Sequence, residues 1–167
     1  MSEGTISIGF TGTRRGMSKS QSLRVFSIIN GGKDSISEAH HGCCIGGDAE
    51  FHEMCQILGV GIHGHPPIDK KFMAELTGYK NLAESNDYLT RDRHVVKSSS
   101  LLISAPYTMA PIPHSGTWYT TNYAEKKKKH IIIVYPNGSL ETKSFVEPKT
   151  EELPIFNQIW ESAVSDA

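Results

Sequence analysis

The sequence has no long apolar run. No stretch approaches the roughly 18 consecutive apolar residues that a membrane-spanning helix needs. Met1-Ser2-Glu3-Gly4 shows neither the basic start nor the hydrophobic core of a secretion signal. Cysteine is scarce. Cys43, Cys44 and Cys55 are the only three, and two are adjacent; this argues against a disulfide framework and for reduced thiols in the cytoplasm. Net charge is nearly absent. With 17 Lys and Arg against 18 Asp and Glu the chain stands at −1, so its bulk charge exerts no pull toward acidic membranes, and nucleic acid is disfavoured as a partner. Metal-ligand spacing is missing too. His41, Cys43, Cys44, His52 and Cys55 form neither Cys-x-x-Cys nor His-Glu-x-x-His, and no metal is expected. What remains is an ordinary globular composition, 38% hydrophobic and 21% charged over 167 residues, enough for one domain with its own core.

Apolar strands alternate with helical patterns along the chain. Thr5–Phe10 reads as a strand running into Thr11-Gly12-Thr13-Arg14-Arg15-Gly16. Ser18 can cap a helix carrying Leu23, Phe26, Ile28 and Ile29, stopped at Asn30-Gly31-Gly32. A weak strand over Ile36–Cys43 precedes a helix over Ala49–Leu58, with Asp48 as its N-cap and Phe51, Met54, Cys55 and Leu58 on one face. Val60–His65 is a third strand. Lys70–Leu76 reads as a short helix, Tyr79–Ala83 as extended and Tyr88–Lys97 as a helix. Ser100–Pro106 is the best buried strand. A proline-rich loop, Tyr107–His114, follows, then a helix from Ser115 to Lys128 and a strand over Ile131–Tyr135. Asn137-Gly138 marks a turn, Lys143–Val146 a short strand, and Pro154 to about Ala163 a C-terminal helix. The alternation predicts a doubly wound, mainly parallel α/β sheet, Rossmann-like, with about five core strands in order 3-2-1-4-5. Its core covers about residues 5–136 and a C-terminal extension residues 137–167, within one domain over 1–167.

In such a sheet ligands bind where the strand order reverses, outside the carboxyl ends of the strands. Two loops meet there, Thr11–Gly16 and Ala105–Thr117, and each contains Gly-Thr. The candidate binding residues are Gly12, Thr13, Arg14 and Arg15 on the first, and Ala105, Pro106, Ser115, Gly116 and Thr117 on the second. Glycine admits a ligand close to the backbone, a helix N-terminus offers free N–H groups to an anion, and arginine adds charge-assisted bonds. A third wall is Gly46, Gly47, Asp48, Glu50 and His52, where Asp48 or Glu50 orients a ribose hydroxyl or acts in acid–base chemistry. The plain alternative is a helix start that favours acids. Of Arg91 and Arg93 one faces the pocket, because residues two apart point to different sides of a helix. Lys126–Lys129 reads as a solvated helix end.

Ile8-Gly9-Phe10-Thr11-Gly12-Thr13-Arg14, the stretch from His41 through Gly46-Gly47-Asp48 to His52, Arg91-x-Arg93 and Ser115-Gly116-Thr117-Trp118 together resemble the SLOG superfamily over roughly Ile6–Pro136. The likeness is to short stand-alone members from bacteria and phages, some defence-related. The superfamily includes LOG-type phosphoribohydrolases, the DprA DNA-processing fold and sensors of NAD-derived signals. The resemblance implies a Rossmann-like fold and a bound nucleotide or nucleotide sugar, such as an ADP-ribose-type or cyclic-nucleotide signal, with no separate cofactor. It also implies a homo-oligomer, for which Leu153, Ile155, Phe156, Ile159 and Trp160 offer an interface unless they dock on their own domain. LOG-type hydrolases carry Gly-Gly-x-Gly-Thr-x-x-Glu. Here Thr120 stands at the Glu position and Pro113-His114-Ser115 replaces the preceding residues. The expectation is therefore binding, with N-glycosidic cleavage or exchange through Asp48 or Glu50 as the alternative and DprA-like DNA handling as a third.

Overall fold

Side chains alternate across a strand, so the first strand already divides the molecule. Ile6, Ile8 and Phe10 point one way; Ser7, Gly9 and Thr11 point the other. The computed structural model describes residues 5–144 and Ile159. Among them, seven strands form one sheet in the order β4-β3-β2-β1-β5-β6-β7. These are β1 (Ile6–Gly12), β2 (Ile36–His41), β3 (Ile62–Gly64), β4 (Asn81–Leu82), β5 (Leu101–Ala105), β6 (His130–Val134) and β7 (Leu140–Lys143). All neighbours are parallel except β6 and β7. The expected five-strand core is present as β3-β2-β1-β5-β6, with a short strand added at each edge.

The helices are α1 (Lys19–Gly32), α2 (Gly47–Leu58), α3 (Tyr88–Lys97) and α4 (Gly116–Lys126). α1 and α2 pack together, as do α3 and α4; right-handed crossovers place the two pairs on opposite faces. The α1–α2 face buries a large apolar cluster with Ile6, Ile8, Phe10, Val25, Ile29, Phe51, Leu101 and Ile103 at its centre, and the Phe10 and Phe51 rings stack at 4.5 Å. A smaller cluster on the α3–α4 side holds Val96, Leu102, Trp118, Ala124, Ile131 and Ile133. There Gly9 lets α3 approach, since a Cβ on it would lie 2.3 Å from Ser99 Oγ.

Ser18 caps α1 in a reciprocal capping box with Gln21. The helix runs on through Gly31 and Gly32, and its inward face is Gln21, Val25, Ile28 and Ile29, leaving Leu23 to solvent. Lys70–Leu76 is not helical. Its backbone is committed elsewhere: the Ile45 N–H donates to the Phe72 carbonyl and the Ala74 N–H to the Cys43 carbonyl, both at 2.9 Å. The last strand among the described residues lies at Leu140–Lys143, because the turn at Asn137-Gly138 returns the chain directly against β6. Val146 and all of the C-terminal helix except Ile159 lie outside the described residues. Ile159 is helical, buried in the α1–α2 cluster and set against Gly32. No helix among the described residues is long and apolar enough to cross a membrane.

Candidate functional site

The strand order reverses between β1 and β5, where Gly12 pairs with Ala105. Beyond this point the chain leaves β1 for α1 on one face and β5 for α4 on the other, which opens a crevice at the strand ends. The β1 loop is held in place. The Thr13 N–H donates to the Ala105 carbonyl at 3.1 Å, and the Thr13 carbonyl accepts from Gly16 at 3.2 Å and Gly47 at 2.8 Å. Gly46 caps α2 at φ +80°, where a Cβ would collide with the Arg14 carbonyl. Gly46 therefore occupies the cap position expected of Asp48, because only glycine fits both the dihedral and the contact. Glu50 accepts the Met17 N–H at 2.7 Å, so its carboxylate ties α2 to the end of the same loop. Gly12, Thr13, Gly46, Gly47 and Glu50 thus form one joined wall. Arg14 and Arg15 are exposed on it, each over an aromatic ring: Arg14 at 4.0 Å from the Phe72 centroid and Arg15 at 4.4 Å from that of Tyr107.

The opposite wall is the start of α4. The Ser115 hydroxyl accepts the Trp118 N–H at 3.2 Å, so the helix's first N–H groups, on Gly116 and Thr117, direct their partial positive charge out of its N-terminus. Gly116 is exposed and a Cβ there would meet nothing within 4 Å. Pro106 is buried, and its carbonyl accepts from Gln21 Nε2 at 2.7 Å.

A buried polar chain links α2, the β2–α2 loop, α3 and α4. The Asp48 carboxylate accepts the Cys44 N–H at 3.2 Å. Burial pushes its pKa up to about 7, against the opposing pull of Arg91 and the Cys44 amide. Arg91 lies inside at 6% exposure. Its Nη1 donates to the Gly42 carbonyl and reaches Cys44 Sγ at 3.5 Å, and its Nε donates to Asp92 Oδ1 at 2.7 Å. Asp92 in turn meets the Thr120 hydroxyl on α4, and burial raises its pKa in spite of Arg91. Asp48, with its pKa of about 7, can hold and exchange a proton near neutral pH, the property a general acid needs.

Two expected site residues are placed elsewhere. Arg93 lies on the outer surface, its Nε bonded to Tyr119 Oη at 3.0 Å. His52 is buried with both ring nitrogens engaged. The Cys43 N–H donates to His41 Nδ1, His41 Nε2–H donates to His52 Nδ1, and His52 Nε2–H donates to the Thr77 carbonyl, at 2.9, 2.9 and 2.6 Å. The backbone groups at both ends fix each tautomer, and burial holds His41 well below the usual histidine range. The pairing of Asp92 with Thr120 leaves no trace in the sequence, because the i, i+1 step from Arg91 to Asp92 gives no periodic signal for it. Among the described residues no group of three or more His, Cys, Asp or Glu side chains is arranged to hold a metal ion.

No family model matches the chain, and no curated protein matches it in sequence. Solved structures do share the fold. The molybdenum cofactor binding protein from the phototrophic bacterium Rippkaea orientalis aligns at TM-score 0.58 and 12% identity, covering 97% of this chain and 88% of that one. The Moco carrier protein from Chlamydomonas reinhardtii aligns at TM-score 0.58 and 18% identity over 77% of this chain and 75% of that one. DNA processing protein A from Helicobacter pylori, described by its single-stranded DNA binding mode, aligns at TM-score 0.59 and 16% identity over 97% and 80%.

Proposed function

We propose that this chain, whose fold is the SLOG-type Rossmann-like fold, binds a nucleotide-derived small molecule in the crevice between β1 and β5. The observation that supports this most is the open N-terminus of α4 at the strand-order reversal, facing a glycine-rich loop that the fold holds rigid. Phosphate oxygens take the Gly116 and Thr117 amides. Arg14 and Arg15, propped on aromatic rings, supply charge at the mouth. An ADP-ribose-type signal or a nucleoside phosphate has this chemistry, and binding serves sensing or sequestration. The molybdenum cofactor named for two of the fold neighbours belongs among the ligands to be tried. Mass spectrometry of small molecules released from the natively purified chain tests the reading, together with calorimetry against ADP-ribose, cyclic ADP-ribose isomers, NAD and nucleoside monophosphates. Retention or binding of a nucleotide is expected; no binding by any of these would remove it.

The raised pKa of Asp48 favours one second reading, cleavage of an N-glycosidic bond with Asp48 as proton donor. Release of free base from a bound nucleotide that stops in Asp48→Asn is the expected result; turnover unchanged by that substitution would exclude this role.

A further inference from the structure

We infer that the outer face of α3 and α4 is a second site, a surface for single-stranded nucleic acid. The near-zero net charge hides a partition. Residues 5–144 carry 16 Lys and Arg against 12 Asp and Glu, whereas residues 145–167 carry one Lys and five acids. Ile159, the described member of that acidic stretch, packs beside Gly32 on the opposite face of the sheet. The excess positive charge lies within residues 5–144, and four of these lysines are consecutive, Lys126–Lys129.

On this face lies an open cleft of about 440 Å³ lined by Arg93, Tyr119, Asn122, Tyr123, Lys126 and Lys127. Three of the six are cations and none is an acid. Tyr119 and Tyr123 are four residues apart, so their rings share one side of α4. Each is set beside a cation: Arg93 Nε bonds Tyr119 Oη at 3.0 Å, while the Arg93 guanidinium and Lys127 Nζ lie 5.7 and 5.6 Å from the Tyr123 centroid. Aromatic rings interleaved with cations along a groove are what an unpaired strand requires, because bases stack on the rings while phosphates meet the charges. A duplex keeps its bases stacked on one another and has no use for the tyrosines. From Tyr119 to Lys127 the helical rise is about 12 Å, room for a few nucleotides. With three cations in the lining, the slope of log K against log salt should be about −2, at roughly 0.7 per phosphate neutralised on a single strand.

The test is fluorescence anisotropy of a labelled oligothymidylate and its RNA counterpart with the full chain across a salt series. Binding with a slope of about −2 is expected. Lys126→Ala with Lys127→Ala should weaken it about tenfold and flatten the slope, and Tyr123→Leu should weaken it about fivefold with little change in slope. Thermal melting of each variant shows that it folds. No binding at low salt would overturn the inference. So would equal competition by duplex DNA or inorganic polyphosphate with Tyr123→Leu silent, the mark of a simple polyanion patch. Displacement of the oligonucleotide by ADP-ribose would also overturn it, by assigning binding to the crevice instead.

Discussion

The two faces of the sheet are built on different principles. Toward α1 and α2 the strands present Ile6, Ile8, Phe10, Ala39, Ile62, Leu101 and Ile103, a continuous apolar surface. Toward α3 and α4 the sheet is mixed: β5 and β6 present Leu102, Ile131 and Ile133, but beside them stand small and polar groups, with Ser7 bonded to the Ser98 carbonyl at 2.8 Å, Gly9 against Ser99, Ser104 at 2.7 Å from the Thr121 hydroxyl, and His40. The first face supplies most of the hydrophobic stabilisation. The second gives up apolar area for hydrogen bonds, and it carries Arg91, Asp92 and the start of α4. Strand parity thus puts the larger apolar surface on one side and the buried hydroxyl and guanidinium bonds on the other, and substitutions at these two sets of positions should differ in kind.

The largest effect is expected on the apolar face. Phe51→Ala removes a fully buried ring stacked on Phe10 and should cost about 3–5 kcal/mol in chemical denaturation. Next is Asp48, buried in the polar chain. Its folded pKa of about 7 lies above the ordinary carboxylate value, so the folded state holds the proton more tightly. The stabilisation from this group is complete at low pH and is lost as pH rises through 7. Asp48→Asn should therefore gain stability over the parent as pH increases from 5 to 8, by an amount on the order of 3 kcal/mol; a difference independent of pH would contradict this. Burial lowers the pKa values of His40, His41 and His65, that of His65 to about 4, so these groups act in the opposite sense and destabilise the fold as pH falls below the ordinary histidine value. On the polar face, Gly9→Ala pushes α3 off the sheet at Ser99 and should cost about 1–3 kcal/mol. The smallest effect is Ser104→Ala, about 1 kcal/mol, because the Thr121 hydroxyl keeps its bond to the Thr117 carbonyl. A Ser104 effect as large as that of Phe51 would break the comparison.

Sequence reasoning reached the fold through periodicity. The parity of Ile6, Ile8 and Phe10, the buried, largely apolar β5 and the extent of α3 were readable, and with them the place where the strand order reverses. What it missed was decided by tertiary contacts. The helix expected over Lys70–Leu76 has suitable residues, but its backbone serves the loop at Cys43–Ile45. Asp48 has the character of an N-cap, yet the close approach of Arg14 demands glycine two residues earlier, at Gly46, and Asp48 turns inward. Spacing showed that only one of Arg91 and Arg93 faces in. Choosing Arg91 requires knowing that Gly42 and Cys44 wait for it. Asp92 stayed hidden because its partner, Thr120, is distant in sequence.

The most direct test of the crevice uses Gly116. A Cβ there would meet nothing within 4 Å, so the helix N-terminus has room for a side chain to enter the opening. Calorimetric titration of ADP-ribose into the parent chain and Gly116→Tyr should give one-to-one binding in the parent and none in the variant, with melting temperatures that coincide. Equal binding by both chains would contradict the placement of the ligand at the strand-order reversal.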